Sequence, residues 1–152
     1  LIAWYWGWLE YQLVFKTTNI TCPKEQLKSA INLFAQDINA NETFANINLE
    51  LLNRIVISES SKAYLTKEVD EANKEGFYLG YKRLVNRVCE FVKEINPNFE
   101  FEHTLISTIF EGIHHQKYFA NYLPSLTDIT NNSKDLANFY TDMALAIILK
   151  EK

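Results

Sequence analysis

Two Glu-x-x-His spacings are the clearest candidates for chemistry in this chain: Glu100 with His103, and Glu111 with His114. Di-metal carboxylate bundles use such pairs, one on each of two helices, with a further inward Glu from each of two other helices. Here both pairs fall within one predicted helix, which does not reproduce that arrangement. The sequence therefore predicts no metal centre.

The other reactive side chains form no recognisable catalytic site. His114 and His115 point about 100° apart on a helix and cannot both face one ion, so we expect one at an interface and one inward as a hydrogen-bonding group. Cys22 and Cys89 lack metal-ligand or redox spacing, which favours reduced thiols in a cytoplasmic protein, with one disulfide as the alternative. No phosphate loop, nucleophile elbow or zincin motif occurs. We expect no enzyme activity and no cofactor.

Composition indicates a single globular domain over residues 1–152. The chain is 47% apolar and 22% charged, with only four glycines and three prolines, which favours long helices. A formal net charge of -4 gives no basic surface for binding a phosphate backbone. No apolar run reaches the roughly 20 residues that a membrane span needs. We therefore expect this segment to bind neither nucleic acid nor membrane.

The chain opens with the apolar stretch LIAWYWGWLEYQLVF, which holds all three tryptophans. At helical spacing one stripe contains Leu1, Trp4, Trp8, Tyr11 and Phe15. A second apolar face contains Ile2, Trp6, Leu9 and Leu13 and is predicted to be the packing side, whereas Trp4, Trp8 and Tyr11 of the first stripe are expected to meet a ligand. A helix that is apolar almost all round is expected to be covered on both sides. Because the chain begins inside this pattern without Met or a cap residue, we expect an N-terminal part outside it.

Five further helices follow, and no segment alternates as a strand would, so the predicted class is all-α with about six helices. The second helix has Pro23 in its first turn, after a cap at Thr21 or Cys22. The third runs from about residue 49 to 60, and the fourth from about 61 to 95. The fifth is capped by Asn98, carries Glu100 and Glu102 in its first turn, and ends near residue 122. The sixth spans about residues 133 to 149.

Aromatic side chains recur on several of these helices. Any one of them fits an ordinary core, but Trp and Tyr also carry polar groups that a core must satisfy and that a ligand cavity can use. As a group they predict a pocket for a small apolar or aromatic molecule. The proposed lining is Trp4, Trp8 and Tyr11 on one wall, with Ile55, Tyr81, Phe110 and His114 opposite.

Helices five and six predict a dimer interface. Thr108 and Gly112 place two small residues on one face of helix five, where another helix can approach closely. The last helix is apolar over more than half of its circumference. The residues expected at a homodimer interface are Thr108, Gly112, His115, Phe139, Met143 and Ile147.

The order of these parts resembles the C-terminal, effector-binding and dimerisation domain of TetR (tetracycline repressor) family transcriptional regulators. Residues 1–15 resemble the helix that connects the DNA-binding head to that domain. The family's next helix resembles the segment CPKEQLKSAINLF, and its central pair of helices resembles LELLNRIVISESSKAYL together with the long helix after it. The penultimate helix of the family resembles LISTIFEGIHHQKYF, which contains Gly112. The last helix resembles SKDLANFYTDMALAIIL. The resemblance spans essentially the whole chain.

This resemblance implies a cytoplasmic homodimer whose last two helices form a four-helix interface. A small-molecule effector would enter a cavity among the other helices, and DNA would be bound only through an N-terminal helix-turn-helix that this chain does not contain. Effector binding would move the connecting helix and respace the two DNA-reading heads, which requires unequal affinity for the two states. The alternative interpretation is an all-α protein–protein interaction module that uses its aromatic faces for a partner helix.

Overall fold

A computed structural model describes residues 2–36, 43–44, 47–48, 51–55, 71–130 and 132–151 of the chain. Its α-helices are α1 (Ile2–Thr17), α2 (Pro23–Ala35), α3 (Glu71–Ile95), α4 (Glu102–Tyr122) and α5 (Ser133–Ile148). Residues 51–55 are also helical, and Pro124–Leu126 form a short 3-10 helix. The chain is all-α, as predicted.

One small hairpin interrupts the helices. Strands β1 (Thr43–Phe44) and β2 (Ile47–Asn48) pair antiparallel, with Thr43 opposite Asn48 and Phe44 opposite Ile47. The hairpin lies in an asparagine-rich stretch, a composition that favours turns over helix. Strands of two residues do not change the fold class.

The helix ends follow local turn and capping chemistry. Pro23 is the first residue of α2 and follows Cys22 at the cap position, where the missing N–H of proline leaves no helical bond unmade. Asn132 caps α5, because its side-chain oxygen accepts a hydrogen bond from the backbone N–H of Lys134. The predicted start of the fourth helix near residue 61 lies outside the described residues.

The predicted cap of the fifth helix is wrong. The N-cap residue of α4 is Phe101, so Glu100 precedes the helix and Glu102 alone lies in its first turn. Asn98 lies in a turn with Pro97, where its backbone N–H donates to the side-chain oxygen of Asn96. Because Asn98 is part of this turn, it does not cap the helix.

The chain divides into two compact units. The first unit comprises Leu1–Gln12 and Asp37–Leu84, and the second comprises Leu13–Gln36 and Val85–Lys152. Helices α1 and α3 each run without a break through residues of both units.

The core of the second unit is aliphatic and lies where α2 packs against α5 and α4. Leu27, Ile31 and Phe34 of α2 are buried, as their spacing predicts. Phe110 of α4 is fully buried, and its ring lies 3.7 Å from that of Phe34 between centroids. Burial of such side chains contributes roughly 2–3 kcal/mol each to folding, so this contact is a main source of stability within the unit.

In the described structure helix α1 is covered on one side only, contrary to expectation. Its buried residues form a continuous arc of about half the circumference at 3.6 residues per turn. They are Tyr5, Trp6, Trp8, Leu9, Leu13 and Thr17. The opposite arc is exposed and holds Trp4, Tyr11, Val14 and Phe15. The division falls inside the first predicted stripe, because Trp8 is buried while Trp4 and Tyr11 are not.

Among the helices of the described residues, none combines the length and the apolar character that crossing a membrane requires.

Candidate functional site

Four aromatic rings meet in the first unit and form what we call the aromatic cluster: Tyr5, Trp6 and Trp8 of α1 with Tyr81 of α3. Tyr5 contacts Trp6 edge-on, with 5.3 Å between ring centroids, and lies 6.3 Å from Trp8. Trp6 meets Tyr81 at 4.7 Å with the two rings nearly perpendicular. Edge-to-face pairs of this kind are favourable because the positive edge of one ring faces the negative face of the other.

Gly80 makes the approach of α1 and α3 at the cluster possible. A Cβ at this position would lie 2.6 Å from Trp6 Cβ, much closer than two carbon atoms pack. Only glycine therefore allows the α3 backbone to reach Trp6 in this arrangement. Near the other end of the cluster, Arg83 Nε donates to Glu10 Oε2 at 3.2 Å. This ion pair is partly exposed, and we assign it little stabilising energy.

The polar atoms of the cluster have unequal surroundings. The Tyr5 hydroxyl donates a hydrogen bond to Asn53 Oδ1, and burial raises the pKa of Tyr5 above its ordinary value. Trp6 is 3% exposed, and its indole Nε1–H has no hydrogen-bond partner in the described structure. A satisfied hydroxyl and an unsatisfied indole donor thus lie on consecutive residues.

Five of the predicted ligand-binding residues lie in the first unit. Trp8 is buried in the aromatic cluster, and Tyr81 is half-buried beside Trp6. The other three expose much of their surface: Trp4 is 41% exposed, Tyr11 59% and Ile55 43%. Their assignment to a ligand stays a prediction.

The other two predicted ligand-binding residues lie on α4 in the second unit. Phe110 is fully buried against Phe34 and is part of the core there. His114 is partly buried, and desolvation, with smaller contributions from the positive charges of Lys117 and His115, lowers its pKa to about 4. It is therefore neutral at pH 7 and can both donate and accept a hydrogen bond. Their role in ligand binding also stays a prediction.

The sequence analysis did not assign Tyr5, Trp6, Asn53 or Gly80 to a site. Trp6 was predicted to pack, which it does, but packing does not reveal whether its N–H is satisfied. Asn53 and Tyr5 are 48 residues apart, and nothing local indicates their hydrogen bond. Gly80 carried a usable signal, since a glycine inside a helix lowers stability unless close approach requires it.

The predicted dimer residues have mixed surroundings on α4 and α5. Thr108 and His115 are exposed, as are Phe139 at 57% and Ile147 at 48%, whereas Met143 is half-buried. Gly112 already receives a neighbour within the chain, because a Cβ there would lie 2.3 Å from the hydroxyl oxygen of Tyr140 on α5. The close approach predicted at Gly112 is thus found between α4 and α5 of one chain.

The described residues of the second unit form cavities of different sizes. A large one, of about 1100 Å³, lies at the turn between α3 and α4 beside the end of α5. It is lined by Lys93, Asn96, Pro97, Asn98, Phe99, Glu100, Phe101, Ile147, Ile148, Lys150 and Glu151. Lys93 donates to the backbone oxygen of Phe99 and pairs with Glu102, so this lysine is already engaged. A smaller cavity, of about 280 Å³, lies between the end of α1 and α2.

No protein-family model, curated protein or solved structure matches the chain. The resemblance to TetR regulators therefore stays a prediction, and it depends on the order, lengths and breaks of the helices. Functional proposals depend on the chain's own residues.

The two Glu-x-x-His pairs do not assemble a metal site in the described part of the chain, where no group of at least three His, Cys, Asp or Glu side chains is suitably placed. Glu100 precedes α4, so the first pair is not on one helix. His103 instead hydrogen-bonds to Asn86 Oδ1 at 2.8 Å. His103 therefore has a structural partner in Asn86.

Proposed function

We propose that this chain is the effector-binding and dimerisation domain of a TetR-like transcriptional regulator. In this proposal a small apolar or aromatic molecule binds at the aromatic cluster and changes DNA binding by an N-terminal helix-turn-helix outside the chain. The function is regulatory, involves no catalytic step and no cofactor, and operates in the cytoplasm. The thiols of Cys22 and Cys89, both free, support a reducing compartment.

The observation that carries the proposal is the composition of the first unit around α1. Aromatic rings with polar atoms are concentrated there. Some of them, such as Trp6 and Trp8, are buried, and others, such as Trp4 and Tyr11, are exposed to solvent. A ligand site needs this combination of an apolar wall, a few polar atoms and an accessible side. An ordinary core needs only the buried part.

Helix α1 suits the proposed coupling because it is one unbroken helix of 16 residues. It carries cluster residues in the first unit and continues into residues that belong to the second. A ligand that contacts Trp8 and Trp4 touches the same helix that, by the family resemblance, leads to the DNA-binding head. Coupling requires that the ligand bind one position of this helix more tightly than another.

Tryptophan fluorescence, titrated with a panel of apolar and aromatic compounds, tests ligand binding. Trp4→Ala removes an exposed wall without opening the core, and Trp8→Phe keeps a ring in the buried position. Both variants should weaken binding of every compound that the parent protein binds. Phe15→Ala, at an exposed aromatic residue on α1 that lies in the second unit, is the matched control and should bind as the parent does. Unchanged affinity in both cluster variants would refute the site.

Dimerisation is the second part of the proposal, and the exposed apolar side chains of α5 support it. Phe139 and Ile147 present about half of their surface to solvent, which a partner copy would cover. Sedimentation should show a dimer at micromolar concentration, and Phe139→Glu or Ile147→Glu should give monomers. Val14→Glu, at an exposed apolar position on α1, should remain dimeric. A stable monomer in the parent protein would contradict this part.

A protein-interaction module is the alternative that a specific patch favours. At the end of α4 and in the following turn, four large apolar side chains are exposed: Tyr118, Tyr122, Leu123 and Leu126. Rings of Tyr118 and Tyr122 lie 4.9 Å apart and form one continuous surface. Exposed patches of this kind commonly bind another protein. If this is the function, the protein binds no small molecule, and substitutions at Tyr122 abolish partner binding while those at Trp4 do not.

A further inference from the structure

The indole N–H of Trp6 is the feature of the aromatic cluster that packing does not explain. The side chain is 3% exposed, its ring is held between Tyr5 and Tyr81, and its Cβ faces the bare backbone of Gly80. Within the described structure Nε1 donates to no acceptor. Roughly 90% or more of buried polar groups in proteins are hydrogen-bonded, so this donor needs an explanation.

The Trp6 indole nitrogen can take part in a hydrogen bond only as a donor. An indole N–H cannot accept a hydrogen bond, so whatever satisfies it must supply an acceptor. Asn53 Oδ1 accepts the hydrogen bond from the hydroxyl of Tyr5, and no acceptor in the described structure receives the Trp6 N–H. An acceptor brought by a bound molecule satisfies Trp6 without disturbing that hydrogen bond.

The burial of Trp6 favours a neutral acceptor. Arg83, which follows Tyr81 on α3, already pairs with Glu10. A ligand carboxylate beside a side chain that is only 3% exposed would lose its hydration, which is strongly unfavourable. A ketone, aldehyde, ester or amide oxygen loses much less.

We propose that Trp6 Nε1–H donates to the effector, and that the effector is a flat, largely apolar molecule with one neutral carbonyl oxygen. This inference rests on the proposed function and defines the ligand class of the same site. Trp6 selects the carbonyl, while the rings of Trp8 and Tyr81 provide the apolar contact.

Matched ligand pairs test the proposal with the full chain. Fluorenone and acetylnaphthalene are each compared with the analogue in which a methylene group replaces the carbonyl group. Affinities are measured by equilibrium dialysis. The methylene analogues are the more apolar partners, so burial alone favours them. A hydrogen bond from Trp6 reverses that order, and we expect the ketones to bind about threefold to tenfold more tightly.

Two variants assign the preference to its donor. Trp6→Phe should bind each ketone and its methylene analogue equally, or favour the analogue. Trp8→Phe removes the other buried indole N–H of α1 and should keep the ketone preference. A proton–nitrogen correlation NMR spectrum of the parent protein gives a measurement that does not depend on a variant folding. The Trp6 indole proton should move downfield with a ketone and stay with its methylene analogue.

The outcomes separate this inference from the proposed function. If both members of every pair bind with equal affinity, or if Trp6→Phe retains the ketone preference, the carbonyl inference is overturned while ligand binding stands. If no member of any pair binds, the ligand site itself is overturned. A ketone preference that Trp6→Phe removes and Trp8→Phe retains supports both.

Discussion

Replacing Gly112 with alanine tests the packing of α4 on α5 most directly. A Cβ at Gly112 would lie 2.3 Å from Tyr140 Oη and 2.9 Å from Tyr140 Cζ. Non-bonded heavy atoms prefer a separation of about 3.5–4.0 Å, so the Tyr140 ring has to move by about 1 Å. That ring is buried, and it meets Phe139 edge-on at 5.2 Å between centroids. The movement is therefore resisted.

The expected change in the free energy of unfolding of Gly112→Ala is the difference between two opposing effects. Alanine is about 1 kcal/mol more favourable than glycine inside a helix, which stabilises the Gly112→Ala variant. Overpacking a filled core costs about 1–3 kcal/mol. We therefore expect the free energy of unfolding to fall by up to about 2 kcal/mol, with about 1 kcal/mol as the central value.

Gly7→Ala is the matched control, because nothing lies within 4 Å of a Cβ at this exposed helical position. This variant should gain about 0.5–1 kcal/mol. Urea denaturation measures both variants, and Tyr140→Ala combined with Gly112→Ala completes a double-mutant cycle in which alanine at 112 becomes stabilising. A Gly112→Ala protein as stable as Gly7→Ala would refute the contact. A loss that depends on protein concentration would instead place Gly112 at the dimer interface.

Three further predictions concern the core, the buried histidine and the Tyr5 hydroxyl. Phe110→Ala should lower the free energy of unfolding in urea by about 3–5 kcal/mol, whereas Phe15→Ala, at an exposed ring, should change it by no more than about 0.5 kcal/mol. Because the pKa of His114 is about 4 in the folded chain against 6.5 when free, its neutral form contributes stability that is present above pH 6.5 and lost as the pH falls toward 4, by at most about 3 kcal/mol. His114→Gln should flatten this acid loss in pH-dependent denaturation. Tyr5→Phe removes the hydrogen bond to Asn53 and should cost about 1 kcal/mol in thermal melts.

Helix ends could be predicted where one residue decides them alone. Pro23 fixes the start of α2, and Asn132 caps α5 through its own side chain. Asn98 failed as a cap because Asn96 competes for the same turn. The side-chain nitrogen of Asn96 donates to the backbone oxygen of Ile148 at 2.8 Å, while its oxygen accepts from Asn98 N–H. That choice depends on a residue 52 positions away, which local sequence rules do not include.

The dimer prediction shows a similar limit of sequence patterns. Two small residues on one helix face indicate that another helix approaches, but they do not tell which helix. In the structure the neighbour of Gly112 is Tyr140 of the same chain. Thr108 and His115 remain exposed on α4, so the close approach at Gly112 does not extend to them within the described structure.

The tryptophans of α1 show that a division into faces by helical spacing does not match the division by burial. Helical spacing separated a ligand stripe containing Trp4 and Trp8 from a packing face containing Trp6. The actual division depends on α3, because Gly80 lets that helix reach Trp6 and the buried arc then extends to Trp8. The residue assigned to packing is the one with an unmet hydrogen-bond donor. A buried ring with an unsatisfied N–H both supports the fold and leaves one interaction for a ligand to complete, so the ligand test belongs at Trp6 as much as at Trp4.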